Sequence, residues 1–300
     1  MQPAFEVAPT GRPVGAEIRG VDLSRPLPPE TRHALRQAWL THIVLLFRDQ
    51  TLNQRAFLEA ARIFGTPKVG AARDYYEKAG RSGTMVASEL PEVSILSNLD
   101  EGGEPTESND SLGSLEVVWH SDNSYVEEPP AGSCLYSVEV PPSTGETSFN
   151  NQYAAYETLP DDLKRAIRGR RAKHDATRNS AGVLRPGVTL PTCLAEVPGP
   201  FHPLVRLHPE TRRPALYLGR RRVWPSQYIE GLDDAESEAL LDRLWAHATD
   251  EDLAWTHRWR VGDFLVWDNR CALHYRTPVD PTRRRVMYRS QFQGEVPIPA

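Results

Sequence analysis

Trp119-His120-Ser121-Asp122 is the stretch from which the rest of the chain is read. On a strand, residues i and i+2 face the same way, so His120 and Asp122 present an imidazole nitrogen and a carboxylate oxygen to one ion. By itself His-x-Asp is a weak pattern in a chain with 9 histidines. A polar pair at a strand edge would look the same. A further ligand has to come from elsewhere, and Leu273-His274-Tyr275 supplies it, 154 residues on. Two histidines and one carboxylate occupy one face of an octahedron. The remaining positions stay open for a chelating cosubstrate and O2, as in non-haem Fe(II) oxygenases.

The arginines after His274 strengthen this reading. Arg285-Val-Met-Tyr-Arg289 alternates as a strand should, with Arg285, Met287 and Arg289 on one face. A guanidinium on an inward face is costly unless it meets an anion. A dicarboxylic cosubstrate provides one, and arginine grips carboxylates in a two-bond fork. Arg285 and Arg289 lie about 13 Å apart along a strand, which favours two different anions. A zinc or manganese hydrolase could use the same two histidines and aspartate, but would not need these arginines.

Outward from the site, the chain reads as one domain of residues 1–300. Short β-like runs recur at 93–98, 133–140, 146–150, 203–208, 214–218, 263–268 and 285–292, many of them separated by proline or glycine. The apolar run His42-Ile-Val-Leu-Leu-Phe47 reads as a buried strand, far too short to span a membrane. Helices are expected near 29–41, 53–63 and 233–247, the second capped by Asn53 and the third opening at Asp233-Asp234. Many short strands with helices gathered on one side suggest a mainly β fold, a two-sheet jelly roll with flanking helices. Loops near 99–114 and 177–200 are candidate lids.

Composition narrows the function. Hydrophobic residues make up 39% and charged residues 25%, ordinary for a soluble globular protein. The net charge of −5, from 35 basic and 40 acidic side chains, argues against nucleic acid as the main partner. The basic runs Arg168-Gly-Arg170-Arg171 and Arg220–Arg222 could attract small anions, but solvated faces are the favoured reading. The 3 cysteines, Cys134, Cys193 and Cys271, are far apart and support neither a disulfide framework nor a Cys-x-x-Cys metal knuckle. With no basic region and apolar run at the N-terminus, a cytoplasmic location is expected, as is a homo-oligomer.

The chain resembles the taurine dioxygenase and 2,4-dichlorophenoxyacetate dioxygenase family. The matching blocks are Phe64-Gly65-Thr66-Pro67, Trp119-His120-Ser121-Asp122, Pro129-Pro130-Ala131-Gly132 and Gly145-Glu146-Thr147. They continue with His202-Pro203-Leu204-Val205-Arg206, Ala215-Leu216-Tyr217, the run from Gly262 to Arg270, His274 and Arg284-Arg285-Val286-Met287. Their order and spacing cover roughly residues 14 to 292.

The resemblance implies a double-stranded β-helix, the cupin-like form of the jelly roll. It implies Fe(II) held by His120, Asp122 and His274, with 2-oxoglutarate and O2 as cosubstrates and succinate and CO2 as products. Arg285 and Thr147 are then expected on the distal carboxylate of 2-oxoglutarate, and Arg289 on an anionic group of a small-molecule substrate. Because Asp122 is present, hydroxylation, cleavage or desaturation is favoured over halogenation. Glu116 departs from the taurine-cleaving pattern, where an amide helps hold the sulfonate. A carboxylate there would repel an anion and attract an amine, which admits an amino acid or other zwitterion; Glu116 pointing to solvent is the alternative. Asp268, Asn269 and Arg270 are expected to orient the loop carrying His274. Tyr75 and Tyr76 lie in a segment that could close over the substrate. His42, His174, His202, His208 and His257 are read as packing or surface residues.

Overall fold

Val44-Leu-Leu-Phe47 is buried along its whole length because it lies inside a sheet with both faces covered. In the computed structural model, which describes residues 5–71, 88–107, 109 and 112–300, it pairs in parallel with Ala16–Arg19 and antiparallel with Phe264–Asp268. That sheet has eight strands. Its order runs Glu6–Pro9, Ala16–Arg19, Val44–Phe47, Phe264–Asp268, Gly132–Glu139, Val286–Phe292 and Pro67–Lys68, with Ser94–Ser97 also paired to Val286–Phe292. A second sheet of four antiparallel strands runs Ala254–His257, Thr147–Asn151, Ala272–Arg276 and Val117–His120. The chain is mostly sheet with few helices.

Strand alternation sorts the core into layers. Val44, Leu46, Leu135, Leu265, Trp267 and Met287 point from the large sheet toward Phe149 and Ala272 of the small one, forming the cluster between them. Leu45, Phe47, Cys134, Tyr136, Phe264 and Val266 point the other way, under the helices Pro29–His42 and Gln54–Ala61. A third cluster joins Leu273 of the small sheet to Leu163, Ile167, Leu241, Leu244 and Trp245. Those residues come from the helices Asp161–Ile167 and Asp234–Ala248. Helices therefore cover the outer faces of both sheets, where gathering on one side was expected.

The three expected helices are present. Asn53 caps the second by accepting from the Ala56 N–H, and Asp233 caps the third by accepting from the Glu236 N–H. The helices Gln152–Glu157 and Asp161–Ile167 were not expected; at one to two turns, neither shows a full amphipathic period. The run at 203–208 is two strands, Phe201–Pro203 and Val205–Leu207. Both expected loops carry local structure: Leu99 bridges Pro105, and Arg178 bridges Leu184. Tyr75 and Tyr76 lie outside the described residues. Among the described residues no helix is long and apolar enough to cross a membrane.

Gly132 shows how tightly the layers meet. A Cβ there would lie 2.7 Å from the Trp267 carbonyl oxygen, 2.8 Å from the Trp39 ring and 2.9 Å from Phe292. The backbone carbonyl cannot move without breaking the Gly132–Asp268 pairing. Gly132→Ala is expected to destabilise the fold by about 1–3 kcal/mol, the usual cost of overpacking. Thermal denaturation measures it, and an unchanged midpoint would show that the layers have slack.

Candidate active site

His120 ends its strand, and His274 is its direct cross-strand partner. The two rings lie 4.0 Å apart by centroid. The Nδ1 of His120 is 2.8 Å from the Val118 carbonyl oxygen. A proton held there leaves Nε2 with a free lone pair. Asp122 Oδ1 is 3.7 Å from His120 Nε2 and 3.8 Å from His274 Nε2. All three side chains are buried, and their ligand atoms lie within 4.8 Å of one another.

Asp122 is placed by hydrogen bonds and not by strand pleating, because the strand stops at His120. Its N–H donates to Asn269 Oδ1 at 2.6 Å, and its carbonyl accepts from Asn269 Nδ2 at 2.9 Å. Ser133 Oγ donates to Asp122 Oδ2 at 2.6 Å, leaving Oδ1 facing the histidines. The expectation for Asp268–Arg270 thus changes. Asn269 holds Asp122, while Asp268 takes a two-bond fork from Arg270 at 2.7 and 2.8 Å and lies 3.0 Å from His208. His257 likewise lies 3.1 Å from Asp263, and both it and His208 are buried, in keeping with their reading as packing residues.

Electrostatics suit a cation. Burial alone would push the Asp122 carboxyl up, but Arg289, His274 and His120 together outweigh it and hold it well below the usual carboxylate range. Burial and the neighbouring His120 hold His274 well below the usual histidine range, with Asp122 opposing, so the ring is neutral near pH 7. An ionised carboxylate beside a neutral imidazole is the donor set a divalent first-row ion takes.

The same cavity is lined by Thr147, Arg285 and Arg289, so sequence positions 120 to 289 converge on one space. Thr147 Oγ1 accepts from the indole Nε1 of Trp259 at 2.9 Å, which leaves its own hydroxyl proton to donate. Arg285 is buried, its Nε has no partner, and burial pulls its pKa down to about 10. Arg289 Nη2 approaches Asp122 Oδ1 at 2.7 Å without hydrogen-bond alignment, a charge contact more than a directional bond.

Arg185, Arg220 and Arg276 also line the cavity, and the sequence reading had given none of them a role there. Arg276 lies two residues beyond His274, on the inward side of the same strand, where pleat parity marks it. It donates to the carbonyls of Gly113 and Leu115.

Of the two readings of Glu116, beside the substrate or facing solvent, the structure takes the second. It is exposed, accepts a hydrogen bond from the Tyr275 hydroxyl and does not line the cavity. Counting back four from His120 puts residue 116 on the inward face of a regular strand. Here His274 pairs with His120 but Arg276 with Val117, so the Val117–His120 strand carries one extra residue. That bulge turns Val117 inward and Glu116 out.

The chain matches the family described as taurine catabolism dioxygenase TauD, TfdA family over residues 6–291. The chain belongs to this family. It is 32% identical to an (S)-phenoxypropionate/alpha-ketoglutarate-dioxygenase of Sphingobium herbicidovorans, covering 98% of this chain and 97% of the relative. It is 33% identical to an alpha-ketoglutarate-dependent 2,4-dichlorophenoxyacetate dioxygenase of Cupriavidus pinatubonensis, covering 92% and 93% of the two chains. A taurine dioxygenase from Burkholderia xenovorans superposes with a TM-score of 0.76 at 30% identity, covering 99% of this chain and 93% of that one. Membership in the TauD, TfdA family makes the chain a 2-oxoglutarate-dependent dioxygenase, an oxidoreductase, and implies iron. The hydrolase alternative finds no support among these relatives.

Proposed function

We propose that this dioxygenase oxidises a small organic anion with an apolar body, by hydroxylation or by a cleavage or desaturation that begins with the same hydrogen abstraction. The observation that carries this reading is the convergence, in one cavity, of a three-ligand cation site and of Arg276 and Arg285, which pair with no carboxylate among the described residues. The fold is read as a double-stranded β-helix over the whole chain, with the loops near 99–114 and 177–200 as lids. Leu112 from the first and Asn179, Leu184 and Arg185 from the second line the cavity, which supports that reading.

His120 Nε2, His274 Nε2 and Asp122 Oδ1 would hold Fe(II). Bound there with 2-oxoglutarate and O2, iron supplies the oxidising power, with release of succinate and CO2. The protein's part is placement. Thr147 and Arg285 grip the distal carboxylate of 2-oxoglutarate by a hydroxyl donor and a fork. Leu96, Leu135 and Trp267 wall off water from the reacting centre. The names of two of these relatives specify aryloxy carboxylates, and an apolar wall beside arginines fits a ligand of that general form.

Anaerobic loading with Fe(II) and 2-oxoglutarate, followed by a screen of carboxylates, sulfonates and sulfate esters read out as succinate, tests the proposal. No charge-transfer absorbance on loading would reject it. Arg289 is assigned to the substrate's anion. Arg289→Ala is expected to weaken substrate binding about 10-fold or more, from a lost charged hydrogen bond of about 1.5–3 kcal/mol. The charge-transfer band should survive. Loss of the band with unchanged substrate affinity would reverse the assignment.

A further inference from the structure

Arg220 is 8% exposed and lines the cavity, yet among the described residues no carboxylate is bonded to it. Its Nη2 donates to the carbonyl oxygens of Asp175 at 3.1 Å and Arg178 at 2.6 Å, and its Nε has no partner. The Asp175 carboxylate favours the charge from nearby without bonding to it, being engaged by the Thr177 N–H and the Ser226 hydroxyl, both at 2.7 Å. A guanidinium does not shed its proton at neutral pH, even when burial and the neighbouring Arg185 and Arg222 pull it down to about 9. A buried charge in this setting needs an anion.

The backbone holds Arg220 in place. It bridges His120, and the Ser121 N–H donates to the Gly219 carbonyl at 2.9 Å. Gly219 has φ +74°, and a Cβ there would lie 2.2 Å from His174 Nδ1, so the segment is pressed flat against its neighbours. Across the sheet the order is Thr147, Arg276, then the strand of His120, then Arg220. Three strand spacings separate Arg220 from Thr147, about 14 Å. A cosubstrate carboxylate held by Thr147 and Arg285 cannot also reach Arg220. Arg289, the other candidate anchor, already lies 2.7 Å from Asp122.

We propose that Arg220 forms a second anion subsite on the side of His120 away from Thr147, and that the substrate carries two anionic groups. This rests on the dioxygenase reading of the cavity. One group meets Arg289 and the other Arg220, with the bond to be oxidised between them, in front of the histidines.

The test is calorimetric titration of protein loaded with Mn(II) and saturating 2-oxoglutarate. The probes are straight-chain α,ω-dicarboxylates of six to ten carbons and the monocarboxylates of equal length. At one length at least, the dicarboxylate should bind about 10-fold tighter, roughly one charged contact at 1.4 kcal/mol per decade. Arg220→Gln should erase that preference and leave 2-oxoglutarate affinity unchanged. If R220Q does not fold, Arg220→Lys, which keeps the charge but loses the fork, should cut the preference about threefold or more. Equal binding of mono- and dicarboxylates at every length in the wild-type protein overturns the proposal. So does a preference that survives in the folded variant. Absence of 2-oxoglutarate binding to the Mn(II) protein would instead defeat the dioxygenase reading beneath it.

Discussion

Replacing His120 or His274 with alanine is expected to remove Fe(II) binding and turnover together. Each ring supplies one nitrogen of a three-ligand set, 3.7 and 3.8 Å from the same carboxylate oxygen. Changes to residues that merely orient metal ligands cost about 10- to 100-fold in affinity, so loss of a ligand itself should exceed about 100-fold. No replacement is at hand among the described residues. The other cluster with suitable atoms, His208, Asp268 and Cys271, is closed by the Arg270 fork on Asp268, and burial pushes the Cys271 thiol up, away from the thiolate a metal would need. The His274 ring packs on Phe149 and Trp267, so its variant is the one for which the folding control matters most. Metal titration by calorimetry, with circular dichroism as the control for folding, checks the outcome. Near-normal iron affinity in either variant would remove both histidines' assigned roles.

How much of this was legible in the sequence depends on the distance over which each placement is decided. The His120–Asp122 spacing and the parity of Arg285 and Arg289 are local, and the five residues expected at the metal and cosubstrate line one cavity with Arg289. Asn269 was assigned to its own turn, because its bonds to the backbone of Asp122 span 147 residues and follow no local period. Glu116 was left between two readings, because the single extra residue that decides them is visible only once the pairing of Val117 with Arg276 is known. Arg220 looked like a solvated basic run beside Arg221 and Arg222. It reaches the cavity through a one-residue bridge to His120, and no spacing rule foretells such a contact. The helix positions followed their caps and apolar stripes. Which sheet face each helix covers was decided by packing, which a single segment does not encode.

Arg285→Ala is expected to raise the 2-oxoglutarate requirement by roughly 30- to 1000-fold, the equivalent of about 2–4 kcal/mol for a buried charge-assisted pair. Arg285 is 4% exposed and has no carboxylate partner among the described residues, and Arg276 stands near it as a second cation. In the ligand-free protein this arrangement is unfavourable: one desolvated charge beside another, with the Arg285 Nε unpaired. The backbone around it does not depend on the side chain, because the Arg285 N–H donates to Asn98 Oδ1 at 2.8 Å and its carbonyl accepts from the Asn98 N–H at 3.2 Å. Truncation should therefore leave the thermal midpoint of the ligand-free protein unchanged or raise it, while affinity for 2-oxoglutarate collapses. Opposite signs in the two measurements mark a residue kept for its ligand at some expense of stability. A purely structural arginine would lower both. Calorimetric titration of 2-oxoglutarate and a melting curve without ligand make the distinction, and an unchanged titration would reject the assignment of Arg285 to the cosubstrate.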